Sequence, residues 1–399
     1  MITQQEHLRR ILALTAPLPV EEVPLAEALG HTLAANVTSG MDLPPWDAAA
    51  MDGYAVALEG FEIGTLPVTK SIPAGHTTPE RITPGEAAAV MTGAPVPAGA
   101  DTIVPLEVFH EPSQRIPETI TFKQIPKPDQ HIRRRAEDTH AGSIVAAAGT
   151  VLEPQHIGAI AATGNASVYT ARRPRVAIIS TGDELVPPGT PPEYGQIPDS
   201  NAPLVAATLT KLGANPTHQL RIRDSAPSLE HTIAQLEHAV DAIILTGGAS
   251  VGAHDISKYV LSSWQHDDPE LAITFNTVNI RPGKPQGFGL SPAGTPVWSL
   301  PGNPVAVLVS LRLFVAPGLA KMQRRAPHPR KLRVYTTRAL ATPKKVNYYM
   351  LATLDGDQVT PLPSDSHLAV KMAQTTGLIQ VPAEVEHIEA NQIVDYLPL

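Results

Sequence analysis

Apolar residues change their spacing several times along the chain. Near the start His7, Leu8, Ile11 and Leu12 recur at intervals of three and four, and Pro17 and Pro19 follow. That period predicts a short amphipathic helix that ends before the prolines, which lack the N–H a helix interior needs. From residue 44 to about 138, short β-type runs such as 87–91 and 102–106 are separated by Gly and Pro turns, predicting a β-rich module. Residues 142–169 read as a smaller unit, with a strand over 150–152 and a helix starting near Pro154.

A different texture begins at Arg172. Residues 176–180, 242–245 and 297–300 are apolar runs of buried type, each ending in a glycine-bearing loop: TGDEL (181–185), TGGASVG (246–252) and LPGNP (300–304). Helical spacing follows each, over 202–212 with Gly213 as the stop, near 255–264, and from 305 to about 322. Strand, glycine loop and helix in repetition predict a mostly parallel α/β sheet, placed at about 172–326, with a ligand at the strands' carboxyl ends. After that the β texture returns over 331–337 and 377–382, which predicts a closing β domain.

Composition narrows the partners. At 399 residues the chain exceeds one ordinary core, and its 41 prolines suggest several small domains with stiff joins. A hydrophobic content of 43% argues against disorder. The formal net charge of -8 argues against a nucleic-acid binder or a protein held to anionic membranes. The absence of cysteine removes disulfides, thiolate metal sites and cysteine nucleophiles, and fits a reducing compartment. The opening MITQQEHLRRILAL carries charges within its apolar stretch, and no run of 18 uncharged apolar residues occurs, so a cytoplasmic protein without membrane insertion is expected.

The strand-end loops carry the candidate chemistry. Glycine lets backbone N–H groups approach an anion, and a following helix N-terminus adds a favourable partial charge, so the loops together predict a phosphate or polar-ring site, although any one of them alone reads better as a plain turn. Carboxylates gather near them and in the β-rich module: Asp52 in MDGYA, Glu137 and Asp138 in RRRAEDTH, Asp183 and Glu184, Asp224 in RIRDS, and Asp255. Such hard oxygen ligands suit Mg²⁺ bridged to substrate phosphates, while ordinary solvated acids are the alternative. Asp138 follows three arginines, 133–135, which can bind phosphate or hold its carboxylate ionised. Arg281 and Lys284 flank a Pro-Gly turn in RPGKP, a geometry suited to a tetrahedral oxyanion, or equally to a solvated basic turn. The fifteen histidines include no HExxH pair and no GxSxG elbow occurs, which disfavours zinc and serine-hydrolase chemistry.

The ordered set PPWDAAAMDGYAV, MTGAPVPAGAD, HIRRRAEDTHAG, STGDEL, IRD, TGGASVGAHD, RPGKP and LPGNPV resembles the MoeA family, the molybdopterin molybdenumtransferases, including the E domain of gephyrin. The resemblance runs from about residue 1 to 380. It implies a multidomain α/β-plus-β fold: a MogA-like domain from 1–20 and 172–326, a linking module from 21–43 and 139–171, a β-rich module over 44–138 and a C-terminal β domain over 327–399. It implies a homodimer whose β-rich module faces the partner's α/β domain. It also implies a reaction in which adenylylated molybdopterin and molybdate give molybdenum cofactor and AMP, with Mg²⁺. Carried over by motif, Asp138 and Asp52 are catalytic. Thr92, Gly182, Glu184, Gly247, Gly248, Ser250, Pro301 and Pro304 bind the pterin substrate, Arg281, Lys284 and Ser366 bind molybdate, and Asp224 and Asp255 hold the metal.

The sequence departs from the family pattern at several positions. Ala48 and Ala49 replace Asn-Ser before AMDG, Arg281 replaces the first lysine of KPGKP, Met350 replaces the FxRG arginine, and Asp365 replaces the glycine of QGSH. Met350 and Asp365 are expected to lower the positive potential at the molybdate site. These departures leave a second reading, a gephyrin-like scaffold that tethers protein partners.

Overall fold

The computed structural model describes residues 1–109, 115–247, 256–327, 330–343 and 345–399. One six-stranded sheet has the order Asn215–Ile222, Arg175–Thr181, Ala242–Thr246, Pro296–Leu300, Pro285–Leu290, Thr274–Thr277. The first four strands run parallel, and the last two are added through antiparallel pairings, so that Pro285–Leu290 alone runs against the others. The apolar runs legible in the sequence are the interior parallel strands. Val176 and Ile178 enter the core on one face while Ala177 and Ile179 enter the core on the other, so these strands show no polar alternation. The helices Gln4–Leu14, Asn201–Lys211 and the long helix Pro304–Met322 cover the first face, and Ala226–Leu236 and Ile256–Ser263 cover the second.

Local chemistry explains the elements. Thr3 caps the first helix with a reciprocal pair, its Oγ1 accepting from Glu6 N–H at 3.1 Å and its N–H donating to the Glu6 carboxylate at 2.7 Å. The strand Pro285–Leu290 carries glycines because a Cβ on Gly289 would lie 2.5 Å from Ile273 Cα. Among the described residues the helix Pro304–Met322 is the one long and apolar enough to cross a membrane, with mean hydropathy 1.7, yet 83% of its apolar window is buried in this core.

The β-rich module is a five-stranded sheet, Thr102–Pro105, Gly53–Val56, Ala87–Val90, Gly64–Ile72, Thr119–Phe122, with a small core on each face. It hangs from a module of three short strands, Val20–Pro24, Ser167–Ala171 and Thr32–Leu33, covered by the helix Pro154–Ala162. The strand expected over 150–152 is reduced to a single bridge between Thr32 and Val151.

At the C-terminus Asn347–Asp355, Gln358–Pro361, Leu332–Thr336, Ile393–Pro398 and Gly377–Val381 pair in sequence, and Asn347–Asp355 pairs again with Gly377–Val381, closing a small barrel. Ile280–Arg281, from the α/β domain, adds to its edge in parallel with Asn347 and Tyr348. Tyr349, Leu351, Leu378 and Leu397 of the barrel belong to the same continuous core as Trp298 and Phe314. The barrel is therefore fused to the α/β domain through apolar packing, which fixes the RPGKP turn between them.

Candidate functional site

Ser180, Thr246 and Leu300 lie in one row across the parallel strands, so the three glycine-bearing loops leave the sheet at the same level. Gly182, Gly247 and Pro301 consequently line one cleft of about 1090 Å³. Gly247 has φ +91°, and a Cβ there would sit 2.7 Å from Thr181 O, so only glycine lets these loops touch. The third loop is pinned by Asn201, which donates from Nδ2 to Gly302 O at 2.7 Å. Pro304 opens the long helix just behind the cleft wall. Gly248, Ser250 and Asp255 fall outside the described residues.

One wall of the cleft is acidic. Glu184 and Asp224 both line it, and Asp183 accepts the Asp224 N–H at 3.2 Å. Burial pushes the Asp224 carboxyl up, and repulsion from Asp183 and Glu184 pushes it further. Among the described residues no group of three or more Asp, Glu or His side chains gathers closely enough to cage a metal. A pair of cleft carboxylates is nonetheless the set Mg²⁺ uses when phosphate oxygens complete its shell.

The facing wall is basic and is built at the junction with the barrel. The Val278 N–H donates to Lys284 O at 2.8 Å and closes the turn that presents Arg281 and Lys284. The Arg281 guanidinium carbon stands 6.0 Å from the centre of the Tyr348 ring. Buried Gln286 donates at 2.7 Å both to Gly283 O and to Ser310 Oγ, tying the turn to the long helix. Ser366 and His367 reach the cleft from the barrel, with Ser366 O accepting the Val305 N–H at 3.1 Å. Asp365 lines the cleft too. Met350 does not: it packs on the barrel core, so of these two departures from the family pattern Asp365 is the one that faces the cleft. Asn279, Tyr348 and Lys345 also line the cleft and escape sequence reading, the latter two because only the barrel's register brings them there.

Asp52 and Thr92 lie together in the β-rich half and Asp138 lies in the same half, all three outside this cleft. Asp52 Oδ1 accepts from the Thr92 N–H at 2.6 Å and hydroxyl at 2.8 Å, and these bonds hold its carboxyl below the usual range. Asp138 is exposed, its N–H donating to Leu43 O at 3.0 Å. Two of the three neighbouring arginines turn elsewhere, correcting the expectation that all three attend Asp138. Arg134 pairs with Asp47 at 2.5 Å and with Asp129, and Arg135 pairs with Asp42 at 2.6 Å. Ala48 and Ala49 are buried in a strand against Ile132 and Arg133, so their apolar character serves packing.

Family models for the MoeA N-terminal region (domain I and II), a probable molybdopterin binding domain and the MoeA C-terminal region (domain IV) match residues 2–164, 177–321 and 333–399. The chain belongs to the MoeA family. It is 35% identical over 401 residues to molybdopterin molybdenumtransferase 2 of Mycobacterium tuberculosis, spanning 98% of each chain. It is also 35% identical to the Nostoc molybdopterin molybdenumtransferase, over 95% of this chain and 88% of that one. A crystal structure of a molybdopterin biosynthesis MoeA protein from Pyrococcus superposes with TM-score 0.82 at 27% identity, covering 100% of this chain and 99% of that one. The MoeA assignment therefore extends over every module described above, including the barrel that supplies the basic wall.

Proposed function

We propose that the protein is a molybdopterin molybdenumtransferase, which takes adenylylated molybdopterin and molybdate to molybdenum cofactor and AMP. The observation that carries this reading is the division of a single cleft into an acidic wall with glycine loops and a basic wall with hydroxyls. The first suits a nucleotide-linked phosphoanhydride, and the second suits a tetrahedral dianion. Gly182, Gly247 and Pro301 border the pterin and phosphate space, with Gly248 and Ser250 assigned to it by motif. Arg281, Lys284 and Ser366 take molybdate. Glu184 and Asp224, with Asp255 by motif, suit Mg²⁺, which when bound would neutralise charge on the anhydride oxygens.

Asp52, Thr92 and Asp138 do not line the cleft of their own chain. We assign them to the cleft of a second copy, so that a homodimer completes two equal sites. In that arrangement the exposed Asp138 carboxylate orients the water that cleaves the phosphoanhydride, and Asp52, kept ionised by Thr92, would help hold the Mg²⁺ that screens the phosphate charge. Phosphoryl chemistry of this kind is driven by positioning and charge and requires no covalent nucleophile.

The test is an anaerobic incubation of the full chain with adenylylated molybdopterin and Mg²⁺, following AMP by chromatography. Release that depends on molybdate is expected, and no release with or without molybdate overturns the assignment. Light scattering at micromolar concentration should give twice the 42.3 kDa chain mass, and a strict monomer overturns the shared-site arrangement.

A further inference from the structure

We propose that Lys345, carried by the barrel, is a third cation of the oxyanion site and takes part in binding the tetrahedral dianion together with Arg281 and Lys284. The assignment rests on the molybdenumtransferase reading and adds a residue to it. Lys345 lines the same cleft as Arg281, Lys284 and Ser366. Its ammonium group makes no ion pair or hydrogen bond among the described residues, whereas Arg134 and Arg135 near Asp138 are committed to carboxylates. Of the hydroxyls on this wall, Ser364 is occupied, donating to Leu362 O at 2.7 Å and accepting the Leu351 N–H at 2.8 Å. Recognition of a dianion there falls to the cations with the hydroxyls of Ser366 and Tyr348.

The backbone supplies an independent observation. Lys345 is held at φ +60°, with its N–H donating to Ala383 O at 3.1 Å. A side chain with a Cβ disfavours this left-handed region, where glycine or asparagine sits at least cost. Of the six described non-glycine residues at positive φ, Lys345 is the one that lines the cleft. A lysine kept where glycine would fold more easily points to a use for its charge. On the basic wall Arg281, Lys284 and Lys345 stand against one carboxylate, Asp365, a local excess suited to a doubly charged oxyanion, while Glu184 and Asp224 lie on the opposite wall.

Strain and charge are separable by substitution. Lys345→Gly removes the cation and relaxes the backbone together, so we expect an unfolding midpoint equal to or above that of wild type and a molybdate affinity at least tenfold weaker by titration calorimetry. Lys345→Arg should bind molybdate within a few-fold of wild type, and Asp365→Asn should bind it more tightly. AMP titrated into the same proteins should bind unchanged. If wild type binds molybdate and Lys345→Gly binds it equally well, the Lys345 assignment falls while the enzyme reading stands. Equal losses of AMP and molybdate affinity also overturn it, since Lys345 would then shape the cleft generally. A wild type that binds no molybdate, with or without AMP, overturns both.

Discussion

The Asp52 carboxylate accepts two hydrogen bonds from a single residue forty positions away, one from the Thr92 N–H at 2.6 Å and one from the Thr92 hydroxyl at 2.8 Å. Both residues are exposed, so the pair fills no core and its effect is electrostatic. The bonds hold the Asp52 carboxyl below its ordinary range, with the Thr92 N–H contributing most. Thr92→Val removes one donor and keeps the other. We expect the Asp52 titration, followed by carboxyl carbon NMR, to move part of the way back toward the usual value of about 3.9. The sign for stability follows: a depressed carboxyl contributes above its unfolded pKa, and the contribution fades as pH falls through the folded value. Solvent screening at this exposed site keeps it small, so the unfolding midpoint should hardly move. An Asp52 titration indifferent to Thr92→Val would show that the hydroxyl bond is not made in solution.

Asp138 gives a sharper separation of structure from chemistry. It has no ion pair with the adjacent arginines among the described residues, and Arg134 and Arg135 are bound to Asp42, Asp47 and Asp129. Asp138→Asn should therefore change stability by no more than about 0.5 kcal/mol, the range of an unengaged surface substitution. AMP release should nonetheless fall by about 100-fold or more, the contribution of a positioned proton acceptor. Calorimetry and the AMP assay on one preparation decide the matter. A clear drop in unfolding temperature would return Asp138 to a structural role.

Acid stability is expected to depend on His7. Its ring is 1% exposed, packs edge-on against Phe314 with centroids 4.8 Å apart, and leaves Nδ1 buried without a partner. Burial, with help from Arg10, lowers its pKa to about 4. The unfolded chain binds this proton near pH 6.5, so protonation favours unfolding. The stability conferred by neutral His7 is present above that value and is lost as pH falls toward 4. The loss amounts to about 3 kcal/mol over the window. Urea unfolding of wild type and His7→Leu at pH 7 and pH 4.5 should show the wild type losing more, by roughly 2 kcal/mol. Parallel losses in both proteins would place the acid sensitivity elsewhere.

The parts of the molecule legible in sequence share a physical basis. The strands Arg175–Thr181, Ala242–Thr246 and Pro296–Leu300 are apolar on both faces and end in glycine, so their place and the convergence of their loops follow from pattern. Asn215–Ile222 was missed because it is an edge strand with much of its length facing water. Pro285–Leu290 was missed because close approach by Ile273 requires glycine in place of β-branched residues. The site shows the same contrast. Gly182, Glu184, Gly247, Arg281 and Lys284 belong to local motifs, whereas Tyr348 and Lys345 enter the cleft only through long-range pairing of Ile280 and Arg281 with Asn347 and Tyr348. Met350 marks the limit of motif transfer, since alignment assigned it to the oxyanion site and packing places it against the barrel core.

Gln286 joins fold to site and supports the last expectation. Its amide donates to Gly283 O and to Ser310 Oγ, each at 2.7 Å, while Ser310 donates onward to Ala306 O at 2.8 Å. The chain of bonds fastens the turn bearing Arg281 and Lys284 to the long helix, with Gln286 only 1% exposed. Gln286→Leu keeps the approximate volume but strands the buried Gly283 carbonyl and weakens the anchorage, at a cost of about 2 to 3 kcal/mol. Were this merely a core defect, stability alone would suffer. Because the turn presents two cations, we expect KM for molybdate to rise several-fold while KM for adenylylated molybdopterin changes little, the substrate being held mainly on the opposite wall. Combining Gln286→Leu with Ser310→Ala in a double-mutant cycle should give a coupling of about 1 kcal/mol, because the two side chains share one bond. Additive effects, or equal changes in both KM values, would show that Gln286 supports the core without steering the turn.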